Sequence, residues 1–290
     1  MNAPVVVGFD GSATARSAVH YGAREAQRRG CELHIEHVLG WPVILPPFHA
    51  PYDKYDQGPR TAMLDLLAKA AHEVQQEYAD LPVTTHLLDG SAGAVLRDAS
   101  RSAQLLVVGH RGSGGFAGLL TGSVATQVAG HAHCPVIVVR GDDHVSDDGP
   151  IVVGTDGSSG SRTAAEAAFA QARLRDTEVV LAHQPARRSS AGAIATSNLP
   201  FWATVGDSSA GAHGISDQHP DVEYRTEVVS GESAAAALIT FSRRISAGLL
   251  VVGSRGLGGF SGLVMGSTSR SLIDHAPCPV MVVPSAPTAN

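Results

Sequence analysis

Short apolar runs recur along the chain, each a few residues long and rich in valine. The first, Val5-Val6-Val7-Gly8, and its successors at 32–38, 83–88, 105–108 and 136–139 have the length and β-branching of buried strands. Between them the apolar positions change to helical spacing. Over 13–29, Ala15, Ala18, Val19, Gly22, Ala23 and Ala26 fall largely on one face, with Ser12 placed as N-cap and Gly30 as C-terminal stop. The same reading predicts helices over 61–78, 92–102 and 123–131, and a loop over the proline-containing stretch 41–59. Strands alternating with helices imply a parallel sheet, because parallel strands need crossover connections.

The second half repeats this plan. Strands are expected at 151–154, 178–183, 222–229, 249–252 and 280–283, and helices at 161–174 and 234–246. Residues 141–150, rich in Asp and Gly, read as a linker, so the 290-residue chain divides into domains at 1–141 and 150–285. Residues 185–220, rich in Ser, Ala and Gly, break the symmetry and read as a loop with a short helix.

A long motif accompanies the repeat, its halves about a hundred residues apart. The first strand of each domain runs into Asp-Gly-Ser, at Asp10-Gly11-Ser12 and Asp156-Gly157-Ser158. The fourth runs into a glycine-rich stretch in which Gly109, Gly112, Gly122 and Ser123 are matched by Gly253, Gly256, Gly266 and Ser267. Asp-Gly-Ser alone is an ordinary turn and cap, and a glycine stretch alone an ordinary loop; their joint repetition at one spacing points to two copies of a nucleotide-sized site. If the strand order is 3-2-1-4-5, strands one and four are neighbours where the order reverses, and ligands bind there, beyond the carboxyl ends of the strands. Glycines let backbone N–H groups approach a phosphate chain, some with positive φ, and Gly122-Ser123 opens a helix whose free N–H groups suit an anion. Asp10 repels phosphate, which leaves a ribose hydroxyl or a metal ion carried in with the phosphates as its partner. Arg111 and Arg255 add a cation inside each loop or are ordinary solvated side chains.

Other chemistries find less support. Gly112-Ser113-Gly114-Gly115-Phe116-Ala117 fits G-x-G-x-x-A, but it follows the fourth strand and the residue twenty positions after Gly112 is Ala132, not an acid. No G-x-x-x-x-G-K-[ST] occurs. His131-Ala132-His133-Cys134 loses a histidine in its counterpart His275-Ala276-Pro277-Cys278, so it reads as a helix end followed by a buried cysteine rather than a metal cluster. No catalytic residue is expected. The net charge of -6 offers no electrostatic drive toward nucleic acid, and no segment has the length of a membrane span or the pattern of a signal peptide. A cytoplasmic protein is expected, with Cys31, Cys134 and Cys278 reduced and mostly buried.

With these motifs in place, the chain resembles tandem universal stress proteins of the ATP-binding type, over nearly its whole length apart from the linker, residues 185–220 and the last few residues. The resemblance implies two Rossmann-like α/β domains of the adenine nucleotide alpha hydrolase-like kind, homodimer formation through the edge of the fifth strand, and binding of ATP, with Mg²⁺ accompanying it. Carried over, the first site uses Gly8, Asp10, Val38 through its backbone at adenine, the loop Gly109, His110, Arg111, Gly112, Ser113, Gly114 and Gly115, then Gly122, Ser123 and Val124. The second uses Gly154, Asp156, the loop Gly253, Ser254, Arg255, Gly256, Leu257, Gly258 and Gly259, then Gly266, Ser267 and Thr268. Gln184 stands opposite Val38 and Thr268 replaces Val124, so the second adenine pocket is expected to differ in affinity. Three functions follow: a nucleotide-binding stress or growth regulator, a slow ATPase, or a structural, chaperone-like stress protein with vestigial loops.

Overall fold

The computed structural model describes residues 2–40, 58–112, 121–140, 148–185, 215, 217–257 and 265–285. Most of 41–59, 141–150 and 185–220 therefore lies outside the described residues. The chain forms two compact units, with the main division between His144 and Val145.

The first unit runs β1 (Val5–Gly8), α1 (Ala13–Arg29), β2 (Leu33–Leu39), α2 (Gly58–Glu77), β3 (Val83–Asp89), α3 (Ala92–Ala99), β4 (Leu105–Gly109), α4 (Ser123–His131) and β5 (Val136–Val139). Its strands pair in parallel in the order β3-β2-β1-β4-β5. The second unit runs β6 (Ile151–Thr155), α5 (Ser159–Arg175), β7 (Val179–His183), β8 (Tyr224–Val228), α6 (Ala234–Arg244), β9 (Leu249–Gly253), α7 (Ser267–His275) and β10 (Val280–Val283). The order β8-β7-β6-β9-β10 is the same topology again. Each unit is a Rossmann-like parallel α/β sheet with the reversal between its first and fourth strands, as the alternating pattern predicts.

Helix ends differ from expectation where a cap decides. Ser12 and Ser158 accept from the amides of Ala15 and Ser161, so α5 begins two residues earlier than its apolar pattern, and Gly30 closes α1 at φ 56°. α2 begins at Gly58 rather than 61, and α3 stops at Ala99, its last turn held by Ser100.

The central strands are buried on both faces, and the two faces are distinguishable. A Cβ on Gly22 of α1 would lie 3.4 Å from Leu33 and 3.8 Å from Val5, and closer still to Val7, so the odd-numbered positions of β1 and β2 face α1. A Cβ on Gly8 would lie 2.8 Å from Leu96 of α3 and 3.2 Å from Val108. Gly8, Glu36 and Val38 thus share the α3 face. A Cβ on Gly154 would lie 2.9 Å from Leu238 of α6 and 3.2 Å from Val252, the same arrangement in the second unit.

Candidate functional site

Each first strand ends beside an aspartate that folds the chain back on itself. The amides of Ser12 and Ser158 donate to Oδ1 of Asp10 and Asp156, both at 3.0 Å, while Gly11 and Gly157 take φ of 80° and 88°. These turns demand glycine because φ is positive. Among the described residues of the fourth-strand loops, Gly109, Gly112, Gly122, Gly253, Gly256 and Gly266 do not have positive φ.

The loop glycines answer to close contact instead. A Cβ at Gly109 would lie 2.8 Å from the Thr14 carbonyl, and one at Gly253 would lie 2.8 Å from the Gly160 carbonyl, so the end of the fourth strand rests on the first turn of the first helix of its unit, α1 or α5. A Cβ at Gly112 would lie 2.5 Å from Asp10 Oδ2, and one at Gly256 closer still to Asp156 Oδ2. The two halves of the motif therefore meet through the carboxylate. In the second unit the Leu257 amide donates to Asp156 Oδ2 at 2.8 Å, and the Ser158 hydroxyl donates to Oδ1 at 2.6 Å. In the first, the Thr14 hydroxyl donates to the Arg111 carbonyl.

Burial alone would raise the Asp156 carboxyl, but the hydrogen bonds from the Ser158 hydroxyl and amide and the Leu257 amide hold it below the ordinary carboxylate range. It is an anion already occupied on both oxygens. Burial, helped by the guanidinium groups of Arg140 and Arg111, lowers the His110 imidazole.

The helix ends divide into sealed and open. α1 and α5 are sealed by their serine caps, whereas α4 and α7 begin at Gly122 and Gly266 with no side-chain cap. The Gly122 amide is spent on the His110 carbonyl at 2.7 Å and the Gly266 amide on that of Ser254 at 2.8 Å, so neither glycine supplies the free N–H expected of it. The helical bonds start with Thr126 to Gly122 and Arg270 to Gly266, which leaves residues 123–125 and 267–269 to present their amides at the positive end of each helix. Ser123 and Ser267 are exposed there.

In the second unit these parts enclose a cavity of about 400 Å³. Gly154, Ala182, Leu238 and Val252 form an apolar wall; Asp156, Arg255 and Gly256 line the loop side, and Gly266, Ser267 and Thr268 the helix end. Gln184 also lines it, its amide donating to the Gly231 carbonyl at 2.8 Å. Arg111 is exposed at the corresponding loop of the first unit, and Val38 pairs with Leu88 within β2, whereas β7 ends one residue before Gln184. Ser113, Gly114, Gly115, Gly258 and Gly259 lie outside the described residues. Among the described residues no group of three His, Cys, Asp or Glu is placed to hold a metal ion.

One pair of residues escaped the sequence reading. His37 Nδ1 lies 2.7 Å from the Phe9 carbonyl and His183 Nδ1 lies 2.9 Å from that of Thr155, each fixing the backbone just before the aspartate. Their equal placement, one residue before Val38 and Gln184, was the available signal.

Comparison with known proteins agrees with this duplicated construction. The model of the universal stress protein family matches twice, over residues 1–140 and 149–284. A universal stress protein of Mycolicibacterium smegmatis is 33% identical over 96% of this chain and 96% of its own length. The universal stress protein Rv1996 of Mycobacterium tuberculosis is 33% identical over 97% of this chain and 95% of its own. A crystal structure of a universal stress protein from Archaeoglobus fulgidus, 21% identical, covers 99% of this chain and all of its own with a TM-score of 0.75, a likeness of fold.

Proposed function

The chain belongs to the universal stress protein family, and we propose that it is a nucleotide-binding regulator that takes ATP in each of its two units. The observation that carries this reading is the cavity of the second unit. Its volume of about 400 Å³ lies in the range of small-molecule sites, with an apolar wall for a base and an uncapped helix N-terminus for phosphates. Ligand oxygens would accept hydrogen bonds from the amides of residues 267–269 and from the Ser267 hydroxyl, with Arg255 adding charge. In the first unit Ser123, Val124 and Arg111 play these parts. Mg²⁺ fits as an ion carried by the phosphates, keeping most of its waters, since one carboxylate beside a phosphate chain is an ordinary Mg²⁺ environment.

Binding fits better than catalysis. Among the described residues lining the cavity Asp156 is the acidic one, and its oxygens are committed to Ser158 and Leu257, so it is poorly placed to take a proton from water. The regulator acts through occupancy, in the cytoplasm and as a homodimer, with domain limits at 141 and 150.

Calorimetric titration of the full chain with ATP, with and without Mg²⁺, tests the proposal. Binding at up to two sites per chain, with phosphate release at the buffer background, is the expected result. Absence of heat at millimolar ATP leaves a structural stress protein, and steady turnover makes it an ATPase.

A further inference from the structure

The two units are not chemically alike at the inner wall of the site. In the second unit that wall includes Gly154 and its β7 neighbour Ala182. In the first, Gly8 pairs in the same register with Glu36. The equivalence does not depend on aligning sequences. Residue 37 and residue 183 make the same histidine contact to the carbonyl that follows these glycines, so Glu36 and Ala182 each precede a matched histidine.

Glu36 stands on the α3 face, beside Gly8 and Val38, where a Cβ on Gly8 would meet Leu96 and Val108. Its residue exposure is 7%, and Oε2 is buried with no hydrogen-bond partner among the described residues. Burial raises its carboxyl, with His34, two residues back on the same face, pulling the other way. A buried carboxyl oxygen left without a donor destabilises the folded protein, and no ion pair of the described structure compensates it. Such a group is retained at a binding wall when a ligand brings the missing donor.

We propose that Glu36 is a specificity-determining residue of the first site, its carboxyl oxygen accepting a hydrogen bond from the exocyclic amine of a purine base, a contact that Ala182 cannot make in the second site. This rests on the nucleotide reading above and refines it. The first unit selects for an amino-substituted base, and the second, apolar at the same place, accepts purines with or without the amine.

The test compares ATP with purine riboside triphosphate, which differs by loss of the 6-amino group, on the full chain as wild type, Glu36→Gln and Glu36→Ala. Wild type is expected to show one site roughly tenfold weaker for the deaminated nucleotide and one indifferent to it, as loss of a single buried hydrogen bond implies. Glu36→Gln keeps an acceptor and retains part of the discrimination. Glu36→Ala abolishes it, and melts no lower than wild type because a buried, unpartnered carboxyl has been removed. Discrimination unchanged in a folded Glu36→Ala overturns the assignment, as does equal discrimination at both wild-type sites. A Glu36→Ala chain that fails to fold overturns it too, by making the side chain structural. If neither nucleotide binds wild type at all, it is the nucleotide reading that falls, and this refinement with it.

Discussion

Removing the Asp156 carboxylate should loosen the second site before any ligand is involved. The carboxylate accepts three hydrogen bonds, from the Ser158 amide at 3.0 Å, the Ser158 hydroxyl at 2.6 Å and the Leu257 amide at 2.8 Å. A hydrogen bond to a charged acceptor contributes about 1.5–3 kcal/mol net, but Ser158 is part-exposed and its groups regain water when released. Asp156→Ala should therefore cost about 2–4 kcal/mol, less than the plain sum. Asp156→Asn keeps one acceptor for Ser158 but turns an NH₂ toward the Leu257 amide, so it should cost about 1.5–3 kcal/mol. The pH dependence has a definite sign. Because the folded pKa is lowered, the stabilisation is complete above the unfolded value of about 3.9 and is lost as pH falls through the folded one. The gap between wild type and Asp156→Asn should be full at neutral pH and close in acid. Urea unfolding measures the stability, and hydrogen exchange at the Leu257 amide reports the local contact, with at least about tenfold faster exchange expected in both variants. Unchanged stability together with unchanged exchange at Leu257 would refute the clamp.

Three further results are expected. Gly122→Ala and Gly266→Ala should leave the melting temperature within a few degrees of wild type and weaken ATP binding, because their added methyls meet nothing nearer than 3.5 and 3.6 Å and point toward the loop; Gly109→Ala, whose methyl would press on the Thr14 backbone, should cost about 1–3 kcal/mol of stability by thermal melting with no ligand present. The three cysteines are buried, with the thiols of Cys134 and Cys278 pushed up to about 12 by burial, so at pH 8 they should resist iodoacetamide in the native protein and react fully in urea, as mass spectrometry would show; rapid alkylation of native Cys134 or Cys278 would contradict the packing.

The strands and most helices were legible because their signals are local. Val5-Val6-Val7 and Leu249-Leu250-Val251-Val252 are short β-branched or leucine runs, and Ser12 and Gly30 announce the ends of α1 by chemistry that acts within a few residues. The meeting of Asp10 with Gly112 was inferable only once the order 3-2-1-4-5 was assumed, since alternation implies parallel strands but not which of them are neighbours. The reason for each glycine was not. Positive φ and close approach select the same residue, and only the fold shows that Gly11 and Gly157 serve the first while Gly109 and Gly253 serve the second. The role of Asp156 was hidden for a related reason: its donor is the backbone of Leu257, a residue 101 positions away whose side chain says nothing about its amide. Glu36 passed unnoticed because a glutamate in an alternating strand reads as solvent-facing until the helix above it is in place.

The placement of β1 between β2 and β4 also constrains how the protein is made. Val5 pairs with Leu33 on one side and Leu105 on the other. During synthesis the first partner emerges soon after Val5, but the second follows it only roughly 4–14 s later at usual elongation rates of about 5–20 residues per second. Through that interval the nascent chain carries a valine strand with one open edge, a template for unwanted pairing between neighbouring ribosomes. Nucleotide cannot shield it, because the loop that would hold the ligand is still inside or behind the exit tunnel. The second unit repeats the exposure with Ile151 and Leu249. A protein whose family name speaks of stress is thus itself most vulnerable while half-translated, and its yield should depend on elongation speed and on chaperones that cover strand edges.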